Sequence, residues 1–226
     1  MGELFEQFDI WSAFGQTLYL AFFSAIGALV LGTFLAIMRV GPVGIFRRAG
    51  AAYVNLVRNT PLTLIVTFCL IALHYQLKIY LAPQDSPTSI VDNGVRWAIV
   101  GLAIYHAAFV CEALRSGINT VPTGQAEAAR SIGLTFTQSL REVILPQAFR
   151  GAIAPMASVL IALIKNTTVA YAIGVAETAA FMRDGLEFRP DLSFLIFVIV
   201  AGFFVLLTMP LGIALTHLSQ RLAVKR

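Results

Sequence analysis

Apolar residues run through this chain in blocks of about twenty, the length a helix needs to cross the hydrocarbon of a bilayer. The first block, Phe14 to Met38, carries no charge until Arg39. Ala25, Gly27, Ala28, Gly32 and Ala36 give it a small-residue surface for close helix packing. Gly41 and Pro42 close it, and residues 43–57 read as an amphipathic elbow at the interface, with Arg47, Arg48 and Arg58 toward lipid phosphates. Thr60 as N-cap and Pro61 at the first helical position open a second span that runs to roughly Leu81. After a polar loop from Pro83 to Asn93, a third span covers about Trp97 to Leu114, with Trp97 as an interfacial anchor. A fourth, Ala152 to about Val175, is irregular: Pro155 lies near its start, and Lys165, Asn166, Thr167 and Thr168 cut through its middle. Phe181 to Asp191 reads as a charged loop, and Leu192 to His217 as a span containing Pro210. The pattern predicts an all-α polytopic membrane protein with about five transmembrane helices. One membrane domain, residues 1–226, accounts for the chain, with no tandem repeat.

The stretch from Thr120 to Pro146 is the polar interruption of this pattern. It predicts two short helices. Pro122 and Thr123 open the first, which carries Glu127, Ala128 and Ala129. Gly133 supplies a hinge, and Thr135 with Gln138 forms a capping box for the second helix. Phe136, Leu140, Val143 and Ile144 then fall on one face, and Pro146 ends the helix. A helix–turn–helix with one small and one apolar face suits insertion into a groove: Ala128, Ala129 and Gly133 permit close approach, and Phe136 and Leu140 are anchors. Packing on its own bundle satisfies the same pattern.

Composition narrows the class. The chain is 58% hydrophobic and 12% charged, with a mean hydropathy of +0.80. Soluble domains carry about 25% charged residues. Aqueous enzymes and nucleic-acid binders are therefore poor fits despite a net charge of +4. Arg39, Arg47, Arg48 and Arg58 follow the first span, and Arg115, Arg130, Arg141 and Arg150 the third; Arg221, Lys225 and Arg226 end the chain. The opposite side holds Lys78, Arg96, Arg183 and Arg189, diluted by acids, and Glu3, Glu6 and Asp9 make the amino terminus acidic, unlike a cleavable signal peptide. The positive-inside rule then puts the amino terminus outside and the carboxyl terminus and the 120–146 loop in the cytoplasm. Cys69 and Cys111, both in apolar spans, read as small hydrophobes.

Catalytic signatures are missing. No phosphate loop occurs, so ATP hydrolysis is not expected on this chain, and no metal, catalytic residue or cofactor is expected. Lys165, Asn166, Thr167 and Thr168 stand out because a cation, an amide and hydroxyls within a span are costly unless they face a cavity or a partner. Either they line a substrate pathway, or Lys165 pairs internally with a carboxylate such as Glu112 or Glu177. Two classes stay open on these residues: a permease driven by a separate ATPase, and a self-sufficient channel or secondary transporter.

Glu127-Ala128-Ala129, three residues, Gly133, and then Leu145-Pro146 resemble the EAA loop of bacterial ABC-importer permeases. That family usually has isoleucine where this chain has Val143. Arg58-Asn59-Thr60-Pro61-Leu62, Leu114-Arg115-Ser116-Gly117-Ile118 and Lys165-Asn166-Thr167-Thr168 resemble its polar-amino-acid uptake branch, as does the less specific tail Arg221 to Lys225. Over nearly its whole length the chain is similar to permease subunits for glutamate; glutamine, aspartate, arginine and cystine are the alternatives. The branch commonly has an acid at Asn166. The resemblance implies a coupling helix seated on a cytoplasmic ATPase through Glu127, Ala128, Ala129, Gly133, Phe136, Leu140 and Pro146. It also implies a midmembrane site at Lys165 to Thr168. Expected partners are an ABC ATPase dimer that binds ATP and Mg, a second permease subunit (homologous or identical), an extracytoplasmic substrate-binding protein and membrane lipid, but no nucleic acid. The implied location is the bacterial plasma (inner) membrane.

Overall fold

Asp9 accepts a hydrogen bond from the Ser12 N–H at 2.9 Å and so caps the first helix, α1 (Ile10–Val40). At 1.5 Å per residue α1 is ~46 Å long, enough to cross the hydrocarbon and both interfaces. The structure, a computed structural model, describes residues 9–222. The acidic Glu3 and Glu6 and the basic Lys225 and Arg226 lie outside the described residues. Gly41 and Pro42 end α1 as expected, and the amphipathic elbow is a helix, α2 (Gly44–Arg58).

The second span differs from expectation at both ends. Thr60 does not cap it; its Oγ1 donates to the Leu56 carbonyl at 2.8 Å, which finishes α2, and Pro61 holds the N-cap position. The new helix, α3 (Leu62–Gln76), leaves α2 at 104°. Its second half, Cys69–Gln76, is wound as a π-helix, and Lys78 takes a left-handed φ of +53°. The chain therefore turns before Leu81. Asn93 clamps the return, its Oδ1 accepting from the N–H groups of Leu81 (2.8 Å) and Ala82 (3.1 Å).

That clamp lets the third span begin early, as α4 (Ser89–Asn119). Trp97 consequently sits about two turns inside the helix, where it is buried at 4% exposure instead of anchoring an interface. A short helix, α5 (Thr123–Ser131), follows.

Pro146 does not end a helix here. A short helical piece, Phe136–Gln138, runs into a π-helical turn, Ser139–Ile144, and then into α6 (Leu145–Asn166). The Leu145 N–H bonds the Leu140 carbonyl, five residues back, and this widened turn lets Pro146 occupy the first turn of α6, where a missing N–H costs little. The second helix of the 120–146 stretch is thus the beginning of the fourth span. A 3₁₀ segment, Thr167–Ile173, continues α6, so Lys165 to Thr168 mark an α-to-3₁₀ switch in the last third of the span rather than its middle.

The expected charged loop at Phe181–Asp191 is mostly helical. Glu177 caps α7 (Thr178–Phe188) by accepting from the N–H groups of Ala179 and Ala180, and the last span is α8 (Ser193–Leu222). Among the described residues there are no strands. Among the same residues four helices are long and apolar enough to cross a membrane, and the bent α2–α3 pair makes up to five.

α4 is the centre of the packing, with α1 on one side and α6 on another; α2 and α3 lie on α4, and α8 lies on α6. Small residues set the α1–α4 distance: a Cβ on Gly32 would lie 2.5 Å from Val110 Cβ and 2.8 Å from the Ala107 carbonyl. Ala36, Ala107, Ala108 and Cys111 are buried along the same seam. α7 is pinned to α1 by Thr178, whose Oγ1 lies 2.6 Å from Thr17 Oγ1.

Candidate functional site

The 120–146 stretch is built by local chemistry. Gly133, at φ +86°, ends α5: its N–H bonds the Arg130 carbonyl at 3.0 Å and the Leu134 N–H bonds the Ala129 carbonyl at 3.1 Å. That double closure favours glycine at the left-handed position. The capping box forms as expected, with the Thr135 N–H donating to Gln138 Oε1 at 2.9 Å and the Gln138 N–H to Thr135 Oγ1 at 3.3 Å. Glu127, Ala128, Gly133 and Pro146 are exposed, while Ala129 is buried within this chain. Leu140 turns inward too, lining an apolar cavity of about 480 Å³ with Leu114, Ile118 and Phe149. The side chain of Phe136 lies outside the described residues.

A charged knot ties the same ends of three helices. Glu112 on α4 pairs with Arg39 at the end of α1, with Arg115 at 3.2 Å, and with Arg58 at the end of α2 at 4.0 Å. The sequence pointed to Glu112–Arg115 as a pair. Arg39 and Arg58 come from distant segments and were not legible as its partners.

Lys165 has neither expected carboxylate. Glu112 is held by arginines and Glu177 by backbone N–H groups; among the described residues Lys165 forms no ion pair and is exposed. Thr167 and Thr168 donate to the carbonyls of Ile164 (2.7 Å) and Lys165 (2.8 Å), which helps bend the helix into its 3₁₀ continuation.

Asn166 behaves differently. With Tyr105, His106 and Phe109 of α4 and Ser158, Val159 and Ala162 of α6, it lines a cavity of about 300 Å³. Asn166 Nδ2 lies 3.1 Å from His106 Nε2, and His106 Nδ1 lies 2.9 Å from the Leu102 carbonyl oxygen. No carboxylate lines the cavity. The Arg58 guanidinium lies 5.5 Å from the centre of the Phe109 ring. His106 was missed as a site residue because sixty positions separate it from Asn166. Its one sequence signal was an imidazole inside an apolar run. Cys69 and Cys111 are buried and unlinked, and among the described residues no three metal-binding side chains gather.

The chain is 51% identical over 214 residues to the glutamate transport system permease protein GluC of Corynebacterium glutamicum, spanning 95% of this chain and 94% of that one. It is 33% identical over 222 residues to a probable glutamine ABC transporter permease protein, GlnM, of Bacillus subtilis, spanning 97% and 96%. A solved amino acid ABC transporter with histidines shares the fold, with a TM-score of 0.80 over 94% of this chain and 93% of that one, at 24% identity. Residues 28–224 match the binding-protein-dependent transport system inner membrane components. With its helical membrane architecture, the chain therefore belongs to that family and is a transport permease.

Proposed function

We propose that this chain is the permease subunit of an ATP-driven importer whose cargo is glutamate. The observation that carries the reading is the cavity between α4 and α6, which offers an imidazole, an amide and two hydroxyls but no carboxylate. An anionic amino acid crossing a region of low dielectric is repelled by fixed negative charge and tolerated by neutral polar groups. The Corynebacterium relative named for glutamate supports the same cargo. Glutamine is the second reading, supported by the Bacillus relative.

On this reading the chain forms one transmembrane domain. ATP and Mg²⁺ bind a separate ATPase dimer, and a second permease subunit and an extracytoplasmic binding protein complete the complex. The amino terminus faces outward and the carboxyl terminus the cytoplasm, so that α5 and the start of α6 meet the ATPase. Glu127, Ala128 and Gly133 are the exposed part of that contact, supported by Ala129, Leu140 and Pro146, with Phe136 as a further anchor. Lys165 to Thr168 border the substrate pathway, with Asn166 in the cavity wall. The test is ATP-dependent uptake of labelled glutamate by the reconstituted complex, competed with glutamine, aspartate and arginine. Glutamate should compete best; arginine as the preferred cargo would refute the reading.

A further inference from the structure

Two polar side chains in the wall of the α4–α6 cavity bond to each other, and their partners fix where each proton lies. His106 is 1% exposed, with Nδ1 2.9 Å from the Leu102 carbonyl oxygen. A carbonyl only accepts, so Nδ1 carries the ring proton. In the neutral imidazole Nε2 is then a bare acceptor. Asn166 Nδ2 lies 3.1 Å from it, so the amide donates to the ring and its Oδ1 points away. That oxygen has no hydrogen-bond partner among the described residues and is not one of the sealed, unpaired polar atoms. Asn166 itself lines the cavity.

We propose that His106 is a positioning residue: by accepting from the Asn166 amide, it holds the Asn166 carbonyl oxygen toward the cavity as the acceptor for the ammonium group of the transported amino acid. The inference rests on the amino-acid importer reading. An ammonium group has three donors and no acceptor, so it needs the oxygen side of the amide. An unrestrained amide would present its NH₂ as readily, setting donor against donor. His106 removes that alternative, because a flipped amide would bring Oδ1 against a bare ring nitrogen.

The same geometry fixes the consequence of Asn166→Asp. A carboxylate facing Nε2 sets two acceptors against each other, and with the Leu102 hydrogen bond kept the contact is relieved only when the ring takes up a second proton. Uptake by that variant should fall as pH rises. The other titratable groups around the pair do not substitute for it. Tyr105 stands beside the ring, Tyr53 of α2 donates to the Ile104 carbonyl, Arg58 of α2 lies over the Phe109 ring, Glu112 is held by its arginines and exposed Lys165 follows Ile164 on α6; none hydrogen-bonds to His106.

The experiment uses the complete complex, with ¹⁵N-histidine only in this chain, whose histidines are three. NMR should show His106 with its proton on Nδ1 in the wild type and as imidazolium in Asn166→Asp. In proteoliposomes, glutamate uptake by Asn166→Asp should fall about tenfold or more between about pH 6.5 and 8.5, a loss of about 1.4 kcal/mol per decade. His106→Leu, lacking an acceptor, should lose about tenfold at equal complex yield, whereas His106→Gln, whose Oε1 can accept from the same amide, should recover most of it. A wild-type ring protonated on Nε2, a pH-independent Asn166→Asp, or equal behaviour of the Leu and Gln variants would overturn the positioning role. A wild-type complex that moves no amino acid while His106 shows the stated tautomer would overturn the importer reading and the ammonium assignment, but not the hydrogen-bonded pair.

Discussion

Helices α4 and α8 have 31 and 30 residues, and α8 is the more apolar. Yet 61% of the most apolar 18-residue stretch of α4 is buried, against 11% for that of the last span. In water the order would be reversed. In a bilayer the lipid solvates leucine and phenylalanine as well as a protein interior does, so apolarity no longer drives a helix inward. What buries α4 is small and polar: Ala107, Ala108 and Gly117 allow close approach, and Asn93 and His106 need protein partners. α8 shows Phe194 at 80% and Leu206 at 75% exposure. The site accordingly lies on the less apolar helix.

The sharpest way to break this contrast is to add volume to α4. A Cβ on Gly117 would lie 2.2 Å from the Ala148 carbonyl and 2.8 Å from the Ala152 N, backbone atoms that cannot rotate away. Gly117→Val should cost about 3 kcal/mol or more, seen as loss of folded protein from membranes. On α8, Gly202 has nothing within 4 Å, and Gly202→Ala should leave thermal stability in detergent unchanged to within about 0.5 kcal/mol.

Glu177, between the last two spans, is a fully buried carboxyl group. Burial pushes its carboxyl from an ordinary 4.5 up to about 7, against the pull of the Ala179 and Ala180 N–H groups. The folded chain therefore holds this proton more tightly than the unfolded chain. The resulting stability is complete below about pH 4.5 and is lost as pH rises through about 7. Measured as melting temperature against pH, the wild type should lose on the order of 3 kcal/mol relative to Glu177→Gln between about pH 4.5 and 8.

The charged knot should matter less, because Glu112 is only partly buried. Glu112→Gln leaves Arg39, Arg58 and Arg115 without their shared carboxylate, and a loss of about 1–2 kcal/mol in thermal stability is expected. The smallest effect belongs to the outer face of α8. Leu206→Ala should change the stability of the isolated chain by less than about 0.5 kcal/mol; a fall in complex yield instead would show that a second permease covers this face.

Elements with local causes were legible in the sequence: the elbow, the Gly133 turn, the capping box and the irregular fourth span. Features set by distant partners were not. Trp97 is buried because Asn93 starts α4 early by gripping Leu81 and Ala82. Pro146 reads as a stop in the sequence because the π-helical turn that accommodates it has no sequence signature. The candidate site was half legible: Asn166 stood out as polar in a span, but its partner His106 lies on another helix, and among the described residues exposed Lys165 lacks the ion pair its charge suggested.

The most direct measurement of where cargo passes is thiol accessibility during transport. Ser158 of the cavity and Leu206 of α8 are both exposed on the isolated chain. In a Cys69→Ala, Cys111→Ala background, Ser158→Cys and Leu206→Cys would be treated with a water-soluble thiol reagent, which attacks only a hydrated thiolate. Position 158 should react at least about tenfold faster than position 206, and glutamate under turnover should slow it. Reaction at 206 with substrate protection, and none at 158, would instead put the cargo path along the outer face of α8.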